Sequence, residues 1–461
     1  MRAFSPWLLL AAATGLVGCN SYAMFRVTGF QQANFSNKAD ILFVLDNSSS
    51  TQDNATNFAL NFNSFIDELT SSTGATTAHN TLGDAVANYI RETSGDSLFI
   101  DYQIGLTTTT VQPNDPNNLA PGDEGTFVSG QGAAADTPAV ITRDDPNAKI
   151  EFQRNTLCGA TCFDSTSVPS DNTFVCPTDG SDPDPLGIVS SEYLDCLCGK
   201  DNWKGHCGSG NEMGLEGGLL AMCRASDSPP DACYNYADPQ GSSTPKPTVL
   251  TGGAGDASGT GFLRADANTI VVIITDEGDS SYRQATGDFD GGVYTDAYES
   301  FANPTRVAVI GPWYDDQSSG DCLGGAQPWA IERYQNVVAA TFGEYVDLTQ
   351  GPDAACAPSD FGTSLQQIGS LLQNLQTMFP LQQVPDVSTI DVYVDGQSVP
   401  ASILQSGSVL TNDAVWGDGW TYEAAYNAVE FWGTAIPQYN AAVRIYYRPI
   451  GGFPRELPSG F

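Results

Sequence analysis

The chain has 461 residues, room for two or three domains, and its 54 acidic and 18 basic side chains give a formal charge of −36. So few Lys and Arg exclude the broad basic face that nucleic-acid binding requires. The acidity reads as a solvated surface, or as one that gathers cations.

The first twenty residues, MRAFSPWLLLAAATGLVGCN, start cationic at Arg2, run through a short apolar stretch and end in small residues before Cys19. This is the pattern of an export signal, too short for a spanning helix. Leu16-Val17-Gly18-Cys19 resembles the lipobox of bacterial lipoproteins. The resemblance implies removal of residues 1–18, a lipid on Cys19 that anchors the chain to the cell envelope, and a tether over 19–37. Asn20 after the cysteine favours the outer membrane. With Cys19 set aside, ten cysteines remain, eight of them between Cys158 and Cys233. In an exported chain they read as up to five disulfides, and their irregular spacing argues against zinc.

From residue 39, buried-strand patterns alternate with helical ones. ADILFVLD (39–46) is a continuous apolar run ending in a carboxylate. In residues 54–72, Phe58, Leu60, Phe62, Phe65, Ile66 and Leu69 recur at roughly helical spacing. Further strands are expected in FIDYQIGLTT (99–108), TIVVIITDEGD (269–279), RVAVIG (306–311) and EYVDLT (344–349), with helices over 329–342 and 361–379. The alternation predicts an α/β fold, a doubly wound and mostly parallel sheet covered on both faces. Residues 112–207, rich in Pro, Gly, Asp, Ser and Cys, break the rhythm and read as an insertion into a domain spanning 38–380. Over 381–461 the period changes to two, with an Asp-Gly turn at 395–396, which predicts a small antiparallel β domain.

Two of the apolar strands end in aspartate. Asp46 is followed by Ser48 and Ser50, so one turn can bring three hard oxygens together, the preference of Mg²⁺ or Ca²⁺. Asp276 follows Thr275 at the end of the 269–274 run. Ligands of open α/β sheets bind at the carboxyl ends of strands. Ser49 reads as a turn residue, Asp279 as a solvated loop acid and GDFDGG (287–292) as a flexible acidic loop.

Asp46-x-Ser48-x-Ser50 together with Ile274-Thr275-Asp276-Glu277-Gly278 resembles the metal-ion-dependent adhesion site of von Willebrand factor type A domains, and the order of elements from 39 to about 380 is similar to that family. The resemblance implies a Rossmann-like fold in which Ser48 and Ser50 bind Mg²⁺, or Ca²⁺ or Mn²⁺, directly. Asp46 and Asp276 would hold the ion directly or through water. It further implies a protein or surface ligand that offers a carboxylate to the ion. The family also supplies a threonine before a middle helix. GSGNEMGLEGGLLAM (208–222) has none. Ser209 aligns best by its distance to Gly214-Leu215 and would substitute, with Glu212 the second candidate. A glutamate there would reduce the net charge of the site and weaken capture of an acidic ligand.

Nothing points to catalysis. The two histidines are His79 and His206, and His206 neighbours a cysteine expected in a disulfide. There is no G-x-S-x-G elbow or phosphate-binding loop, and no carboxylate pair is singled out as a glycosidase dyad. The expected function is metal-dependent binding at the envelope, not an enzymatic activity. The alternative is a structural envelope component in which the ion only stabilises the loops.

Overall fold

The computed structural model describes residues 38–52, 55–62, 101–111, 120–130, 137–163, 168–178, 189–234, 261–264, 267–283, 291–302, 305–313, 328–341, 343–347, 378–381, 383–406, 415–424, 427–437 and 441–450, with single positions at 166, 183, 364 and 368. Cys19, His79, Cys322, Cys356, most of the 287–292 loop and most of the 361–379 helix lie outside these residues.

A six-stranded sheet forms the centre of the α/β part. Its strands are β1 (Lys38–Leu45), β2 (Asp101–Thr108), β3 (Val140–Thr142), β4 (Asn268–Ile274), β5 (Thr305–Gly311) and β6 (Tyr345–Asp347), in the order β3-β2-β1-β4-β5-β6. All neighbours are parallel except β3, which pairs antiparallel with β2. The continuous apolar runs follow from burial on both faces. Ile41, Phe43 and Leu45 pack on one side, and Leu42 and Val44 on the other.

Helical residues 55–62 (α1) and α2 (Ala148–Arg154) cover the first face. There Phe62 and Phe152 stack at 3.5 Å between ring centroids, with Phe43 and Phe58 edge-on or tilted around them. The helices α3 (Ser191–Cys198), α4 (Gly214–Ala225), α5 (Gly292–Glu299) and α6 (Pro328–Ala340) follow in the chain. Of these, α4, α5 and α6 cover the second face through Leu215, Leu219, Tyr294, Tyr298, Tyr334 and Val337.

The cysteine-rich segment is more than loop. It lends β3 to the main sheet and Phe152 to the main core. It also builds a satellite core from Leu157, Phe163, Tyr193, Leu194, Leu197 and Trp203. Disulfides Cys158–Cys198, Cys162–Cys207 and Cys176–Cys196 staple this segment, and Cys223–Cys233 ties the end of α4 to the following turn.

The C-terminal part is antiparallel. Strand β8 (Asp391–Val394) turns through Asp395 and Gly396, both at positive φ, into β9 (Gln397–Val399). Short strands β10 (Leu404–Ser406) and β11 (Val415–Trp416) pair with each other. Strands β12 (Gly419–Glu423) and β13 (Ala428–Trp432) form a second ladder, and β14 (Val443–Tyr446) pairs with β8. One expectation is corrected here. Met378 and Phe379, read as the end of a helix, belong to β7 (Met378–Pro380), which pairs with β13. Phe379 pays its way by burial beside Val429 and Phe431, so this core overrides the helical spacing. Among the described residues no helix is long and apolar enough to cross a membrane.

Candidate functional site

Strands β1 and β4 are parallel neighbours with Leu45 opposite Ile274, so the residues that follow them emerge side by side. Asp46 N donates to Ile274 O at 2.9 Å, which carries the pairing one residue past the strand. The turn after β1 is closed by Thr51, whose hydroxyl donates to Asp46 O at 2.7 Å and to Ser48 O at 3.0 Å. Asp46 is fully buried. Its Oδ1 accepts from Ser48 N at 2.9 Å and its Oδ2 from Thr275 Oγ1 at 2.7 Å.

The expected ligand residues are brought together. Ser48 Oγ lies 2.9 Å from Ser50 Oγ, and Ser50 Oγ donates to Asp276 Oδ1 at 3.2 Å. Two carboxylates and two hydroxyls thus form one continuous cluster, with Ser48 buried and Ser50 exposed.

Two further segments close around it. After β2, Thr110 Oγ1 donates to Asn47 Oδ1 at 2.7 Å and accepts from Ser209 N at 3.1 Å. Before α4, Gly208 N donates to Asn47 O at 2.8 Å and Met213 N to Thr109 O at 3.0 Å. Gly208 is required by close approach, since a Cβ there would overlap Thr110 Oγ1 and Asn47 Oδ1. Asn47 and Thr110 were not singled out by sequence reasoning. The one signal was the polar run Thr107–Thr110 at the end of a buried strand.

The two candidates before α4 differ in their partners. Ser209 Oγ accepts from Asn211 N at 3.0 Å, a local turn bond. Glu212 is 1% exposed, no hydrogen-bond donor reaches either of its carboxyl oxygens, and the carboxyl of Glu277 lies against it. Its backbone is pinned from the other side, where Ser280 N donates to Glu212 O at 2.7 Å.

Asp279 is a correction. It is fully buried, not a solvated loop acid, because it satisfies the start of α4. Its Oδ1 accepts from Leu215 N at 3.3 Å, and Ser281 Oγ accepts from Glu216 N at 3.0 Å. These are two of the amide groups that a helix leaves unpaired at its N-terminus. Arg333 Nη1 completes Asp279 at 3.1 Å from Oδ2. One turn into the helix, Glu216 is gripped by Arg283 through Nε at 2.7 Å and Nη2 at 2.8 Å, and by the Tyr294 hydroxyl at 2.9 Å.

Burial, followed by the charge of Asp276, pushes the Asp46 carboxyl up to about 7. Burial, followed by the charge of Asp46 and then by a hydrogen bond shared with Glu277 and the charge of that residue, pushes Glu212 up to about 9. Burial also raises Asp276. A buried carboxylate is costly unless it is paired or coordinates a cation. The shifts here arise from burial and from carboxylates facing one another. An all-oxygen donor set of this kind suits a hard divalent ion, and the Glu212 carboxyl, which faces Asp46 and Glu277 and receives no donor, fits the same demand. No protein-family model matches the chain, and no curated protein matches it.

Proposed function

We propose that this chain is a lipid-anchored envelope protein with a von Willebrand factor A-like domain that binds a protein or surface ligand through a divalent ion, Mg²⁺ or Ca²⁺. Asp46, Ser48, Ser50 and Asp276 hold the ion, and the lipid on Cys19 holds the chain at the membrane. The observation that carries this reading is the chain of contacts from Asp46 through Ser48 and Ser50 to Asp276, at the carboxyl ends of two adjacent parallel strands. The topology supports it, since β1 lies where the strand order turns from β2 toward β4, the usual place for a ligand in an open α/β sheet. The disulfide-stapled segment reaches the same rim through Cys207, next to Gly208, and so has a part in ligand choice.

Calorimetric titration of the purified chain with Mg²⁺, Ca²⁺ and Mn²⁺, alongside Asp46→Ala, tests the proposal. Saturable one-site binding that disappears in the variant is expected. Binding indifferent to Asp46 would overturn it. The burial of Asp46 and Ser48 favours the alternative in which the ion only stabilises the loops. EDTA separates the two, because it releases a bound partner only if the ion makes the contact.

A further inference from the structure

We infer that Glu212 is itself a ligand of the ion, making this a calcium site whose partner supplies neutral oxygens instead of a carboxylate. The inference rests on the metal-binding reading above and goes beyond it in naming the ion and the ligand class.

The position of Glu212 is set by backbone bonds on both sides. Met213 N reaches Thr109 O beyond β2, and Ser280 N reaches Glu212 O from the segment that carries Asp276. Glu212 therefore lies between the loops that follow β2 and β4. Of the neighbouring charges, that of Asp46 acts on it most strongly. A side chain held this firmly, 99% buried, with no donor to either oxygen and with the carboxyl of Glu277 as its neighbour, lacks the donor or positive charge that buried carboxylates otherwise find. Ser209, the other candidate, already has its local bond.

Two consequences follow from counting charges and oxygens. Asp46, Asp276 and Glu212 together bring three negative charges to a doubly charged ion. An incoming carboxylate would add a fourth in a largely buried setting, where like charges repel strongly. A hydroxyl or carbonyl oxygen would add none. The protein also offers at least five oxygens, from Asp46, Ser48, Ser50, Asp276 and Glu212, before any water. Ca²⁺ takes 6–8 oxygens in flexible geometry, whereas Mg²⁺ demands a tight octahedron and retains waters.

The experiment uses the full chain and three metal probes, Ca²⁺, Mg²⁺ and Tb³⁺. Affinities come from calorimetry, and the number of water molecules on bound Tb³⁺ comes from luminescence lifetimes in H₂O and D₂O. Wild type, Asp46→Ala, Glu212→Gln and Glu212→Asp are compared, with circular dichroism reporting the fold of each. Expected in the wild type are tighter binding of Ca²⁺ than of Mg²⁺, and no displacement of Tb³⁺-bound water by acetate. Glu212→Gln should weaken Ca²⁺ by about 10-fold or more, because the charge count of its direct ligands sets a calcium site's affinity. It should also add about one water to the ion and let acetate displace it. Glu212→Asp keeps the charge, so it should still refuse acetate while binding Ca²⁺ less tightly.

The inference is overturned if Glu212→Gln matches the wild type in Ca²⁺ affinity and water count while Asp46→Ala loses the ion. That result leaves the metal-binding reading intact. An absence of ion binding in folded wild-type protein overturns both.

Discussion

Replacing Arg283 by Met tests whether the buried clamp behind the site stabilises the fold as the geometry implies. Glu216 has no exposed surface, and Arg283 supplies two of the three hydrogen bonds its carboxylate accepts. Methionine occupies similar volume but leaves that carboxylate with the Tyr294 hydroxyl alone. Removing one partner of a buried pair costs about 3–5 kcal/mol, most of it from stranding the other charge. For a domain of this size the loss corresponds to a fall in melting temperature on the order of 10 °C. The double variant Arg283→Met, Glu216→Leu removes both charges. It should recover all but roughly 1–2 kcal/mol, the remainder reflecting the Tyr294 hydroxyl, which still accepts from the backbone N of residue 283 but has lost the acceptor for its proton, and the Ala232 carbonyl that Arg283 also serves. Urea denaturation followed by circular dichroism reads all three proteins. A loss below about 1 kcal/mol in the single variant, or no recovery in the double, would refute the reasoning.

Gly208→Ala should cost about 1–3 kcal/mol and weaken ion binding, because the added methyl collides with the Thr110–Asn47 pair; unchanged affinity by calorimetry would show that the loop yields. Replacing Cys162 and Cys207 by Ser opens a bridge spanning 45 residues, worth up to about 4 kcal/mol of chain entropy. Ion affinity should fall with it, since Cys207 immediately precedes the loop that closes on Asn47. Equal affinity in the oxidised protein and the serine variant would count against that coupling. Glu430 gives a pH signature. Burial, then the charge of Glu423, raises its carboxyl from 4.5 to about 7, so the folded state holds this proton more tightly than the unfolded state. Stability should therefore decline as pH rises from 4.5 to 7, by no more than about 3 kcal/mol. Glu430→Gln should abolish that decline in denaturation curves at pH 5 and 8, and a slope that persists would locate it elsewhere.

The central strands were legible because burial on both faces demands an unbroken apolar run, which β1, β4 and β5 all show. The C-terminal hairpin was legible through Asp395-Gly396, whose positive φ angles suit that dipeptide. Strand β3 was not, since three residues carry no measurable period and depend on β2 for their pairing. Within the site, the run Asp46 to Ser50 is local and visible in sequence. Asp279 was misread because the amide it satisfies belongs to Leu215, 64 positions away. Asn47 and Thr110 meet across 63 positions for the same reason. Spacing put Ser209 ahead of Glu212, and the folded chain separates them by other means, a local turn bond for one and no donor for the other.

The bond between Thr275 and Asp46 joins residues 229 positions apart, and it has a kinetic consequence. A chain that must pair its first strand with such a late one has high contact order and folds slowly. The four segments of the site come together only when β1, β2, α4 and β4 are all in place. An ion bound there favours the finished chain over every shorter or partly folded form. Its arrival would mark the end of folding, and its departure would be felt first by the loops and then by the sheet.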